Sequence, residues 1–254
     1  MSVSPSPADP SVTVVIPTFN ERENLISLVP KVLRLGPGYR VLVVDDNSPD
    51  GTGEVADQLA VDFPGRVRVL HRPDKQGIGP AYIAGFRAAL EEGSAYIAEM
   101  DADHSHDPDD LPRLVIAAGT HDLALGSRYV RGGSTHGWPR HRRLISRLGG
   151  LYARAVLRVP IADLTGGFKV FPRDTLASLN LNEIRSDGYG FQIETTYRVL
   201  QAGGRVAELP ITFTDRVAGA SKLSRRIVLE ATTMVWRLRF ERTRGHRVGY
   251  ACSR

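Results

Sequence analysis

Five short apolar, β-branched runs, separated by four stretches of helical character, limit what this chain can fold into. The runs cover 12–16 (stopped by Pro17), 40–44, 67–71, 95–100 and 122–126. Between them the spacing predicts helices over 21–35, 53–63, 77–92 and 109–118. Asn20 is the expected N-cap of the first helix, and Pro30 is expected to kink or split it. Runs this apolar are buried on both faces, and strand–helix alternation builds a sheet from parallel strands. The fold class is therefore α/β, with a mostly parallel central sheet flanked by helices.

From Arg128 onward the texture changes. Residues 131–139 are rich in Gly and Ser and read as a flexible loop. Residues 140–158 read as a helix, with Leu144, Leu148, Leu151 and Ala155 near helical spacing among arginines. Strands are expected at 168–171 and 205–214, a helix within 185–201, and a second basic amphipathic helix over 222–244. Residues 1–11 are expected to be a disordered Ser/Pro tail.

Charged residues make up 24% and hydrophobic residues 42%, which excludes disordered and fibrous classes. The net charge of +5 suits an anionic partner, although on net charge alone simple solubility is the better reading. The single cysteine, Cys252, excludes a disulfide framework and a Cys-based zinc site within one chain, and suits a reducing compartment. No signal-like run opens the chain, and no 18 apolar residues run together. Work on a lipid is therefore expected from the membrane surface or through a partner.

Three polar turns are expected to follow strand ends. Asp101-Ala102-Asp103 offers two carboxylates that can share a hard divalent cation, which in turn neutralises a diphosphate. Alone, the pattern is as well explained by an acidic turn capping the next helix. The turn from Asp45 to Thr52 offers carboxylates to a base edge or a ribose, or is an Asx-turn with a helix cap. Within it, Gly51-x-Gly53-x-x-Ala56 mimics a dinucleotide fingerprint, but polar residues separate it from the strand. Pro17 to Glu21 follows the first strand. Convergence of the three on one sheet edge weighs more than any single motif, since open α/β sheets bind ligands beyond strand carboxyl ends. His104 and His106 flank the aspartates and read as loop residues, with a minor alternative of holding metal or phosphate. Eight arginines and no acid lie between Arg128 and Arg158, a pattern that fits phosphate contacts or an anionic membrane surface. Nucleic acid is not expected, because aromatic interleaving is sparse.

In order, Val15-Ile16-Pro17-Thr18-Phe19-Asn20-Glu21, Val43-Val44-Asp45-Asp46-Asn47-Ser48-Pro49-Asp50-Gly51-Thr52, Met100-Asp101-Ala102-Asp103 and Gly126-Ser127-Arg128-Tyr129 resemble the family-2, GT-A-fold inverting glycosyltransferases. Gly137-Trp138, Arg142 to Ser146, Asp163 to Phe168, Gly188 to Gln192 and Asp215 to Lys222 narrow the resemblance to dolichol-phosphate mannosyltransferases. The resemblance implies mannose transfer from GDP-mannose to a polyprenyl monophosphate, giving a β-mannosyl phosphate at the cytoplasmic face of a membrane. It implies Mg²⁺ or Mn²⁺, held by Asp101, Asp103 and Ser105. It implies nucleotide-sugar contacts at Pro17, Phe19, Glu21, Val44, Asp46, Asp101, Ala102 and Asp103, joined by Arg128, Arg216 and Lys222. Arg142 and Arg128 match acceptor-phosphate positions, and Asp103, Arg128, Arg142, Arg216 and Lys222 form the expected catalytic set. Two departures stand out: Phe19 where many members have Tyr, and Ser105 where some have a metal-binding Gln. The expected organisation is a GT-A catalytic domain over 12–229, with a nucleotide-sugar half (12–127), an acceptor half (128–229) and a basic amphipathic helix and tail (230–254). A UDP-sugar donor, or a catalytically idle nucleotide- and membrane-binding subunit, remains an alternative, and an integral membrane protein is a further expected partner.

Overall fold

The computed structural model describes residues 11–215 and 225–241. Its strands are β1 (Val12–Thr18), β2 (Tyr39–Asp45), β3 (Val67–His71), β4 (Tyr96–Glu99), β5 (Leu123–Ser127), β6 (Ser134–His136), β7 (Lys169–Pro172), β8 (Val206–Pro210) and β9 (Thr212–Thr214). Its helices are α1 (Arg22–Leu33), α2 (Thr52–Asp62), α3 (Ile78–Glu91), α4 (Leu111–Ala118), α5 (Arg140–Leu157), α6 (Arg173–Ser178), α7 (Tyr189–Gln201) and α8 (Arg225–Phe240). The main sheet runs β3-β2-β1-β4-β7-β5-β8, and β6 pairs with β9 in a small second sheet. Only β7 runs against its neighbours in the main sheet, as antiparallel partner of both β4 and β5.

The core follows from the apolar runs. On one face Val14, Ile16, Val41 and Val43 pack under α1, whose Leu25, Leu28, Val29 and Val32 are all buried. On the other, Val15, Leu42 and Val44 meet Tyr82, Phe86 and Ala89 of α3. Each such fully buried large side chain contributes about 1.5–3 kcal/mol. At Gly85 any Cβ would collide with the Val15 side chain, so α3 sits this close to β1 only because the residue is glycine.

Several local expectations give way. Pro17 does not stop β1, which continues to Thr18; at Pro17 only β2 flanks the strand, because β4 has already ended beside Val15. Pro30 does not split or end α1, which runs on to Leu33. The hydrogen bond it forfeits belongs to the carbonyl of Ile26, a half-exposed residue on the solvent side. Asn20 is not the cap: it takes a left-handed φ of 61°, and Glu21 occupies the N-cap position without a side-chain bond. The loop 131–139 contains β6, and the run 205–214 breaks at Ile211 into β8 and β9. The residue 229/230 boundary falls inside α8, whose Met234, Val235 and Leu238 are buried with Ala153 and Leu157 of α5 and with Tyr197 of α7. Residues 1–10, expected as the tail, lie outside the described residues, as do Arg216, Lys222 and the chain beyond 241.

Candidate active site

The carboxyl ends of β2, β1 and β4 are neighbours, so the three polar turns meet on one edge. Hydrogen bonds stitch two of them together. Asp45 accepts from Thr18 Oγ1 (3.1 Å) and Ser48 Oγ (2.6 Å), and Ser48 Oγ accepts from the Asn20 amide (3.1 Å). Thr52 Oγ1 accepts from the Glu21 amide at 3.0 Å and donates to Asp50 at 2.5 Å. Burial alone would raise the Asp50 carboxyl, but the Thr52 and Arg22 donors outweigh it and hold it low. Each turn also carries one left-handed residue that is not glycine: Asn20 (61°), Asn47 (56°) and His104 (59°). Such conformations cost on the order of 1–3 kcal/mol and persist where the surroundings over-determine them.

Asp46 points away from this lattice to Arg72, with which it forms a nearly buried ion pair. Burial raises its carboxyl and the Arg72 charge partly offsets the rise. Beside it Lys75 Nζ stands 3.8 Å above the Phe19 ring, in cation–π contact. Val44 is fully buried, and its carbonyl accepts from Thr18 Oγ1 at 3.4 Å. Arg72 and Lys75 went unseen in the sequence, where only acidic turns stood out. Their signal was position, just past the end of β3.

Asp101 is braced from two sides. Tyr82 Oη donates to its Oδ1 at 3.1 Å, and its amide donates to His106 Nδ1 at 3.2 Å. Burial lowers the His106 pKa, so the ring is neutral, with its proton on Nε2. The ring stacks on Phe168 at 4.8 Å and meets the edge of Phe213 at 5.5 Å. His106 is thus a support of the aspartate turn, which its place in a loop did not announce, and His104 instead bonds Ser27 of α1 at 2.8 Å. Asp103 Oδ1 accepts from the Ser105 amide at 3.0 Å. The Ser105 hydroxyl is buried and has no hydrogen-bond partner among the described residues.

Antiparallel β7 sets Lys169 opposite Glu99, two residues before Asp101. Both are fully buried, with Nζ 3.9 Å from Oε2. Lys169 donates to the Gln192 carbonyl (2.9 Å), Gln192 Oε1 (2.6 Å) and Thr195 Oγ1 (2.8 Å). Burial pushes the Glu99 carboxyl up to about 7 and the Lys169 ammonium down to about 8. Just ahead of this pair in the chain, Gly167 lies along the aspartate turn, where a Cβ would stand 3.8 Å from Asp101 Oδ2 and 3.1 Å from Gln192 Nε2.

The arginines lie on the other side of β7. Arg128 is buried and bidentate to Asp163, with Nε–Oδ2 at 2.7 Å and Nη2–Oδ1 at 2.6 Å, and it also donates to Thr165. Asp163 and Ala162 are held in turn by Glu208, which accepts both amides. The Arg128 guanidinium is boxed by Tyr129, Trp138 and Phe213, at 5.2–5.5 Å from the ring centroids. Arg142 pairs with Asp215 at 2.7 Å and lies 4.2 Å over Trp138. The structure therefore brings Pro17, Phe19, Glu21, Asp46, Asp101, Ala102 and Asp103 to one edge, and puts Arg128 and Arg142 on an aromatic-lined flank that adjoins the aspartate turn through Phe213 and His106.

An α/β sheet with acidic turns converging on adjacent strand ends, and an antiparallel strand inserted beside them, defines a GT-A nucleotide-sugar transferase architecture. The chain belongs to glycosyl transferase family 2, whose model matches residues 13–179. It is thus a glycosyltransferase. It is 48% identical over 238 residues to the polyprenol monophosphomannose synthase of Mycolicibacterium smegmatis, covering 91% of this chain and 89% of that one. It is also 48% identical over 226 residues to the undecaprenyl-phosphate mannosyltransferase of Micrococcus luteus, covering 89% and 93%. Among solved structures, glucosyl-3-phosphoglycerate synthase from Mycobacterium tuberculosis with phosphoglyceric acid shares the fold, with TM-score 0.68, 20% identity, and 91% and 80% covered. The same enzyme with Mn²⁺, UDP and phosphoglyceric acid matches with TM-score 0.68 at 20% identity, covering 94% and 81%.

Proposed function

We propose that this glycosyltransferase moves mannose from GDP-mannose to a polyprenyl monophosphate, with inversion, at the cytoplasmic surface of a membrane. The observation that carries this reading is the near-half identity, over nine-tenths of the chain, to two proteins named for mannosyl transfer to polyprenyl phosphates. The donor's base and ribose would lie along Pro17, Phe19, Glu21, the Val44 backbone and Asp46, with Arg72 orienting the Asp46 carboxylate.

Among the described residues no group of three or more His, Cys, Asp or Glu is placed to hold a metal ion. Two carboxylates completed by diphosphate oxygens and water are nonetheless what Mg²⁺ or Mn²⁺ takes from protein in such sites. Asp101 and Asp103 supply that donor set, and the bare Gly167 backbone leaves room beside Asp101 Oδ2. A divalent ion held there would offset the charge that builds on the departing diphosphate. Ser105, with its hydroxyl buried, serves the turn through its amide and leaves the remaining coordination to water. Tyr82 fixes the Asp101 carboxylate and His106 the Asp101 backbone before substrate arrives.

The acceptor phosphate has a second pKa of about 6 and is ionised near neutral pH, so attack needs no strong general base. What the chain must do is align two anions. Among the described residues Arg142 is the cation best placed for the acceptor, since its guanidinium is part-exposed and can exchange Asp215 for phosphate. Arg128 is committed to Asp163 and supports the Trp138 platform under Arg142. Arg216 and Lys222 keep the phosphate roles that the resemblance gives them. The membrane contact would be α5, whose Leu144, Ile145, Leu148 and Leu151 are each 45% or more exposed and are flanked by Arg140, Arg143 and Arg147. Among the described residues no helix is long and apolar enough to cross a membrane. An integral membrane protein bound beside α5 is a further partner in this reading.

The test is turnover of radiolabelled GDP-mannose, against UDP-glucose and UDP-N-acetylglucosamine, with a short polyprenyl phosphate and Mg²⁺ or Mn²⁺. A lipid-extractable, mild-acid-labile mannose product supports the reading. Preference for a UDP-sugar, or binding without turnover, overturns it.

A further inference from the structure

At the opposite edge of the sheet, a groove of about 300 Å³ is lined by Thr13, Arg40, Val41, Gly65, Arg66, Arg68 and Glu92. Three guanidiniums face one carboxylate there. Two of the three are already fixed. Arg66 donates to the carbonyls of Leu33 (2.6 Å), Gly36 (2.6 Å) and Tyr39 (3.0 Å), and Arg68 pairs with Glu92. Glu92 caps the C-terminal end of α3, so balancing that helix end accounts for Arg68. It does not account for Arg40. The side chain of this half-buried residue, in register with Thr13 across β1 and β2, has no hydrogen bond or ion pair with a described residue.

We propose that this groove is a second anion site, separate from the active site, which takes a small phosphorylated ligand of about pyrophosphate size. A planar guanidinium matches phosphate oxygens in bidentate fashion, and two forks held in place by carbonyls and a carboxylate lower the ordering cost of binding. The volume is at the lower end of small-ligand cavities. The strand rise puts Thr13 roughly 16 Å from Thr18 at the donor edge, too far for one diphosphate to touch both.

The experiment is calorimetric titration of the full chain with inorganic pyrophosphate, without divalent metal, comparing wild type with Arg40→Ala, Arg68→Ala and Asp103→Ala. Wild type is expected to bind one equivalent. Arg40→Ala is expected to weaken binding at least tenfold, the scale of a lost charge-assisted contact, with its melting temperature unchanged. Arg68 is 59% exposed on its side chain, so Arg68→Ala folds and serves as the second variant, also weakening binding. Asp103→Ala is expected to leave binding intact. No binding by wild type overturns the proposal. So does wild-type affinity in both arginine variants, or a loss confined to Asp103→Ala.

Discussion

At the carboxyl edge of β1, β2 and β4, several polar side chains find partners within their own turn, as in Asp45–Ser48, Asp50–Thr52 and Asp103–Ser105, while Asp46 and Asp101 are braced from outside it by Arg72 and Tyr82. On the flank built from α5, β6 and β9 the cations reach far along the chain. Arg128 meets Asp163 35 residues away, and Arg142 meets Asp215 73 residues away. The two regions therefore carry their cost of change in different places. The acidic edge is a set of locally closed turns that present carboxylates, so removing one should alter chemistry more than stability. The basic flank is tied together by long-range pairs, of which Arg128–Asp163 is buried, so removing Asp163 strands a charge.

The largest effect is expected at Asp163. Replacing it with Ala leaves the buried Arg128 guanidinium unpaired, which costs on the order of 3–5 kcal/mol, read as a large drop in urea midpoint. If melting were barely affected while turnover collapsed, Arg128 would be a phosphate ligand rather than a scaffold residue, and the contrast would fail. Next comes Asp103→Ala. Turnover should fall about 100- to 1000-fold, the scale of losing one preorganised stabiliser of developing charge, while the half-exposed turn keeps stability within roughly 0.5 kcal/mol. An unfolding penalty comparable to that of Asp163→Ala would erase the distinction between the two regions. The smallest effect on fold and chemistry is expected from Leu148→Ser with Leu151→Ser. Both side chains are more than half exposed, so melting and turnover on a soluble short-chain acceptor should not change. Partition onto anionic vesicles should drop about tenfold or more, measured by co-sedimentation. Unchanged partition would move the membrane contact away from α5.

The same contrast explains what could be read in advance. The parallel strands, α2, α3 and the acidic turns carry their signals locally, in apolar runs followed by Asp, Asn, Ser and Gly, and those elements stand close to where the residues indicate. The orientation of β7 did not show, because its Lys169-Val170-Phe171 run looks alike in either direction and its place depends on pairing with β4 and β5. The three exposed or half-exposed residues of β6 exist only because β9 is beside them. Tyr82 looked like core and His106 like loop, since their bonds to Asp101 depend on how α3 and the Phe168 ring pack around the turn. Pro30 gave a real breaker signal that the solvent-facing Ile26 carbonyl made harmless.

The central claim is that the acidic edge holds the donor and Arg142 on the basic flank meets the acceptor. The most direct measurement is the steady-state KM for polyprenyl phosphate, together with GDP affinity, in Arg142→Gln. The expected result is a kcat/KM for the acceptor lowered about 10- to 100-fold, the scale of a charge-assisted contact, with GDP affinity equal to wild type. Weakened GDP binding with an unchanged acceptor KM would contradict it.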